Sequence, residues 1–153
     1  MSDAIPTESG PDLGTKHQFH GVQPTLPVRD VARSVAYYQT VLGFEVDFLH
    51  GDPPTFGRVM KGDRTFGDPV YLRFAASPAD PPPTAGEVAI HVGHDVDGLF
   101  AAYRALGVVV VDPIASQPWG LREFRVADLD GHVLRFAGYL EDPADEQGPP
   151  GHG

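Results

Sequence analysis

Between Val22 and Tyr139 the apolar residues switch repeatedly between two spacings. Leu26 and Val28 alternate with Thr25 and Pro27, which predicts a short strand whose prolines suit an edge or a strand start. Asp30 can cap a helix in which Val31, Val35, Tyr38 and Leu42 recur at helical spacing, and Gly43 supplies the left-handed stop. Period two returns in Phe44, Val46 and Phe48, interleaved with Glu45, Asp47 and Leu49. A turn over 50–55 leads to strands at Phe56 to Met60 and Val70 to Phe74, separated by a polar loop over 61–69. The proline-rich stretch from Ser77 to Gly86 cannot pair inside a sheet and reads as a linker.

The same order then begins again. Glu87 to Val92 alternates as a strand, Asp95 caps a helix carrying Val96, Leu99, Tyr103 and Leu106, Gly107 stops it, and Val108 to Val111 is a strand. Residues 118–136, PWGLREFRVADLDGHVLRF, supply two more strands joined by a turn at Asp128-Leu129-Asp130-Gly131, where Gly accepts positive φ. The offset between the halves is about 65 residues, the signature of a doubled βαβββ unit. The expected fold is α+β: two tandem βαβββ repeats forming curved mixed sheets around a cavity, with the helices on the outer faces. Repeat one covers 22–76, the linker 77–86 and repeat two 87–140. Residues 1–21 and 141–153, rich in Pro, Gly and acids, read as disordered tails.

Period two also assigns faces. Val70, Leu72 and Phe74 turn toward the helix, which leaves Tyr71 and Arg73 facing the cavity. Leu134 and Phe136 pack, so Val133 and Arg135 face inward. Val88, Ile90 and Val92 pack, so Glu87, Ala89 and His91 face inward, as do Gln23, Thr25 and Pro27 on the first strand.

Composition narrows the classes of function. A formal charge of −10, part of it in the tails, disfavours a nucleic-acid partner. The absence of cysteine excludes a disulfide framework or thiolate chemistry and fits a reducing cytoplasm. No apolar run is long enough to span a membrane, and the expectation is a soluble cytoplasmic protein.

Candidate chemistry is sparse. His91, His94 and His132 lack a compact ligand spacing and read as structural or surface histidines. Asp128 and Asp130 suggest a Ca²⁺ loop, but Tyr139 stands where its closing Glu is needed, so they read as turn residues. Neither Ser34 nor Ser116 lies in a nucleophile-elbow motif. Glu87 and His91, four residues apart on one strand, are about 13 Å apart and cannot share a proton directly.

Two motifs carry a resemblance. PTLPVRDVARSVAYYQTVLGFEVDF, from Pro24 to Phe48, and QPWGLREFRVADLDGHVLRF, from Gln117 to Phe136, resemble the opening and closing segments of the vicinal-oxygen-chelate superfamily of glyoxalases, bleomycin-resistance proteins and dioxygenases. The closest likeness is to the bleomycin-binding branch. Metal-using members place four ligands on the first and last strand of each unit. The matching positions here hold Gln23, Arg73, Glu87 and Arg135, and a guanidinium has no lone pair to offer a cation. The resemblance therefore implies a binder without metal, cofactor or catalytic residue. Its ligand would be a small molecule, a bleomycin-like glycopeptide among the candidates, held in a crevice of a homodimer that exchanges a strand near Pro24. It also implies antibiotic resistance as a role, with no nucleic acid or membrane partner.

The implied binding residues are Asp47, Phe48, Tyr71, Arg73, Glu87, His91, Trp119 and Arg135. Phe48 and Trp119 have an alternative reading as core, and the two arginines either pair with Glu87 or Glu123 or take an anionic ligand group. The competing reading is a divergent metal-dependent glyoxalase or dioxygenase recruiting Gln23, Glu87 and His91.

Overall fold

The computed structural model describes residues 21–84 and 86–140; both tails expected from the sequence lie outside them, apart from Gly21. Repeat one is β1 (Thr25–Val28), α1 (Val31–Thr40), β2 (Glu45–Gly51), β3 (Pro54–Lys61) and β4 (Val70–Ala76), with a 3-10 turn at Arg64–Phe66. Repeat two is β5 (Glu87–Gly93), α2 (Val96–Ala105), β6 (Val109–Ser116), β7 (Leu121–Ala127) and β8 (Val133–Tyr139). Each forms a four-stranded mixed sheet, ordered β1-β4-β3-β2 and β5-β8-β7-β6, in which the first and last strands pair in parallel. The α+β architecture of two tandem βαβββ units is thus as the periodicities require.

Both helices start at the expected caps. Asp30 accepts a hydrogen bond from Arg33 N at 3.0 Å and Asp95 one from Gly98 N at 3.1 Å. Asp97 in the first turn of α2 accepts two bonds of 2.8 Å from Arg122 on β7, which ties the helix to its sheet and holds that carboxyl below its ordinary range. Helix α1 ends at Thr40, and Leu42 is buried in the turn beyond it.

The strands run further than their apolar alternation. β6 continues past Val111 to Ser116 through Pro113, which the sheet tolerates because the register shifts between Asp112 and Ala115. β8 likewise reaches Tyr139 because Leu121 pairs with it. The linker over 77–86 contains no strand or helix among its described residues.

Each helix covers one face of its own sheet, α1 against β2, β3 and β4 and α2 against β6, β7 and β8. Leu72, Phe74, Leu134 and Phe136 are buried on those faces as period two assigns them. One apolar cluster includes residues of both repeats. Two glycines allow close approach: a Cβ at Gly57 would stand 3.1 Å from Val35 on α1, and one at Gly138 would stand 2.8 Å from the Gly93 carbonyl oxygen.

The turn between β7 and β8 locks the two repeats together. Tyr38 on α1 donates at 2.7 Å to Asp128 Oδ2, while Asp128 Oδ1 accepts from the amides of Asp130 and His132, both at 2.9 Å. His132 Nε2 donates to the Pro27 carbonyl at 2.7 Å, and Arg29 donates to Asp130. Burial, reinforced by the negative charge of Asp128, pushes the Tyr38 hydroxyl well above its ordinary pKa. On the other side Tyr103 of α2 donates to the Leu42 carbonyl at 2.6 Å.

Candidate functional site: two open sheet faces

The sheet faces turned away from the helices carry the polar and aromatic residues. On the first sheet, a bulge in β2 decides what reaches that face. Val46 pairs with Val59 and Phe48 with Arg58, so Asp47 is the extra residue between them. Strict alternation would put Asp47 and Phe48 on opposite faces. The bulge instead lets Asp47 accept from Arg58 Nε at 2.7 Å while Phe48 lies 5.3 Å below the same guanidinium.

Arg58 also lies 4.5 Å over the Tyr71 ring and donates to Gln23 Oε1 at 3.1 Å. Phe48 approaches Phe56, with centroids 5.8 Å apart, and Arg73 lies 5.2 Å over Phe56. The result is a continuous row of Tyr71, Arg58, Phe48, Phe56 and Arg73. Arg58 and Phe56 were not singled out from the sequence. Extending the period-two assignment to β3 would have found them, since they alternate with the buried Val59 and Gly57.

The second sheet carries an ion-pair network. Arg135 Nε donates to both carboxylate oxygens of Glu87, at 3.0 and 3.1 Å, and its Nη1 donates to Glu123 at 3.0 Å. Arg125, opposite Arg135 on β7, binds Asp112 on β6. Glu123 is buried, with 5% of its side chain exposed, and Arg135 is the cation paired with it. His91 stacks on Tyr139 with centroids 5.6 Å apart.

The expected site residues therefore fall into three places. Asp47, Phe48, Tyr71 and Arg73 share the first face, and Glu87, His91 and Arg135 share the second. Trp119 stands in the turn between β6 and β7, 62% exposed, closed by a bond from Gly120 N to the Gln117 carbonyl. Neither Trp119 nor Phe48, which is 37% exposed, belongs to the core. Among the described residues no ion pair or ring contact joins the two faces. Pro24 precedes β1, and its carbonyl accepts from Arg73 N, extending the pairing with β4 of the same chain. A separate cleft of about 830 Å³ opens between the end of α1, the loop after β3 and α2; of the expected site residues only His91 lines it.

The positions at which the resemblance implies metal ligands, Gln23, Arg73, Glu87 and Arg135, do not suit a cation. Arg73 and Arg135 offer only donors, Glu87 is engaged by Arg135, and Gln23 by Arg58. Among the described residues no three His, Cys, Asp or Glu side chains gather in metal-ligand geometry. No described helix is long and apolar enough to cross a membrane.

Known proteins share this architecture. The bleomycin-binding protein of bleomycin-producing Streptomyces verticillus, solved with copper(II)-bleomycin, is 27% identical, with 80% of this chain and 98% of that chain covered and a TM-score of 0.61. TioX from Micromonospora sp. ML1 is 28% identical over 77% of this chain and 97% of that one, with a TM-score of 0.57. A glyoxalase-related enzyme from Clostridium phytofermentans, 19% identical over 81% and 98%, with a TM-score of 0.64, shares the fold. No functionally curated protein matches the sequence. The family model described as Glyoxalase/Bleomycin resistance protein/Dioxygenase superfamily matches residues 19–136, and with both βαβββ units in place the chain belongs to that superfamily.

Proposed function

We propose that this protein binds a small molecule and sequesters it without changing it, in a crevice at a homodimer interface. The observation that carries the reading is the row of half-buried aromatic rings and guanidiniums on the first sheet face, which no helix covers. Such a surface offers stacking and cation–π contacts to a flat ligand. The likeness to a bleomycin-binding protein supports the class of activity, and bleomycin is the first ligand to test. In this reading the eight residues placed above line the crevice, and a role in antibiotic resistance and a cytoplasmic location follow from it.

The dimer is supported by apolar surface left uncovered in one chain: Val46, Phe48, Leu49, Val111, Trp119 and Tyr139 are all exposed. β1 offers only four residues to β4, which suits a strand that leaves near Pro24 to pair with a second copy. An enzymatic reading loses its support where two arginines stand at the ligand positions.

Calorimetry of the purified protein against metal-free bleomycin, with Trp119 fluorescence recorded in parallel, tests the ligand. Saturable 1:1 binding per protomer is expected. No heat and no spectral change at micromolar drug would exclude bleomycin itself. Sedimentation at micromolar protein should return twice the chain mass, and a monomer there would sink the dimer crevice.

A further inference from the structure

Strand register allows the two faces to be compared position by position. Thr25 stands opposite Arg73 as Ala89 stands opposite Arg135, so Gln23 corresponds to Glu87. Arg58 stands opposite Arg73 as Arg125 stands opposite Arg135. Phe56 stands opposite Ala75 as Glu123 stands opposite Ala137. Repeat one thus keeps both arginines of repeat two but replaces the two acids that satisfy Arg135, one by an amide and one by a phenyl ring.

The consequence falls on Arg73. Its Nε is buried and, among the described residues, is the one buried side-chain nitrogen or oxygen without a hydrogen-bond partner. The substitutes do not help it, because Gln23 Oε1 is taken by Arg58 and Phe56 offers only its ring face. The acids of the sheet are elsewhere: Asp47 is held by Arg58, and Glu45 stands opposite Met60, two residues along β3. A buried donor on a cation is costly to leave unanswered, and a planar fork of donors suits a carboxylate or a tetrahedral oxyanion in two-point contact.

We propose that Arg73 is an anion subsite, binding the carboxylate, sulfonate or phosphate of an amphipathic small molecule whose aromatic part lies against Phe56, Phe48 and Tyr71. This rests on the small-molecule reading above and names the chemistry of its ligand. Arg135 has no such role, because Glu87 and Glu123 already occupy its donors.

Indole-3-acetate, its neutral amide and the cation tryptamine differ mainly in the group offered to Arg73, so calorimetry of the full chain with each separates charge from ring. The wild-type protein should prefer the acid over the amide by about ten-fold or more, the size of one charge-assisted contact, and over tryptamine by a wider margin. Arg73→Gln should reduce that preference to less than about three-fold by weakening the acid more than the amide, and Arg73→Lys should retain part of it. Should Arg73→Gln fail to fold, the wild-type comparison still decides. An amide or amine that binds as tightly as the acid overturns the anion subsite and leaves the small-molecule reading standing. No binding by any of the three, or by metal-free bleomycin, overturns both. An acid preference that survives in Arg73→Gln, with or without loss of the dimer, also overturns it.

Discussion

Replacing each of two equivalent arginines by methionine should have unequal consequences for the stability of this fold. Arg135→Met removes three charge-assisted bonds and strands Glu123, whose side chain is 5% exposed, without a countercharge. Breaking a fully buried pair in this way costs about 3–5 kcal/mol. Arg135 and Glu87 keep 24% and 32% of their side chains exposed, so the loss is reduced to about 2–3 kcal/mol, nearly all of it from Glu123.

Arg73→Met breaks no ion pair. It loses one contact over Phe56, worth about 0.5–1 kcal/mol, and removes an unbonded Nε, so the net change should lie within about 1 kcal/mol of zero. Urea denaturation at fixed protein concentration reads the difference, provided the slope m is the same for both variants. At about 2–4 °C per kcal/mol for a chain of this size, Arg135→Met should also melt about 4–12 °C below wild type. Combining Arg135→Met with Glu123→Leu should recover most of the loss, since an apolar pair can replace a buried ionic one. Equal destabilisation by the two single substitutions, or a loss below about 1 kcal/mol for Arg135→Met, would refute the claimed asymmetry.

Tyr38→Phe removes the bond to Asp128 and should cost about 1.5–3 kcal/mol in the same denaturation assay. Because the folded state raises the Tyr38 pKa above its ordinary 10.0, its contribution is fully present below pH 10 and declines as pH rises beyond it. The alkaline stability curve should fall by up to about 1.4 kcal/mol per pH unit from this group, and Tyr38→Phe should flatten it. Gly138→Ala places a methyl 2.8 Å from a backbone oxygen and 3.0 Å from Val96, so α2 must shift; a loss of about 1–3 kcal/mol is expected, and a neutral result by calorimetric melting would contradict the close packing. Trp119 should be freely quenched by acrylamide in the unliganded protein at concentrations that keep it monomeric, and protection there would contradict its exposure.

The tandem βαβββ order, the caps at Asp30 and Asp95 and the assignment of Tyr71, Arg73, Glu87 and Arg135 to the open faces were legible in the sequence. Each follows from a local rule: a spacing of two or of 3.6, or a side chain bonding an amide three residues on. The bulge at Asp47 was not legible, because an extra residue is visible only against its partner strand. Nor was the role of the turn at Asp128: it read as hairpin chemistry, and only packing turned it into the lock with Tyr38 and Pro27.

The sequence by itself determined that Arg73 and Arg135 stand on the uncovered faces of the two sheets, through the period of two on the strands that carry them. Which of them is satisfied was decided by tertiary structure alone. Glu87 and Glu123 lie on strands flanking β8, 48 and 12 residues from Arg135, and register sets them beside it. The same register sets Phe56 and an occupied Gln23 beside Arg73. An ion pair across strands depends on alignment between distant segments, which no local period encodes.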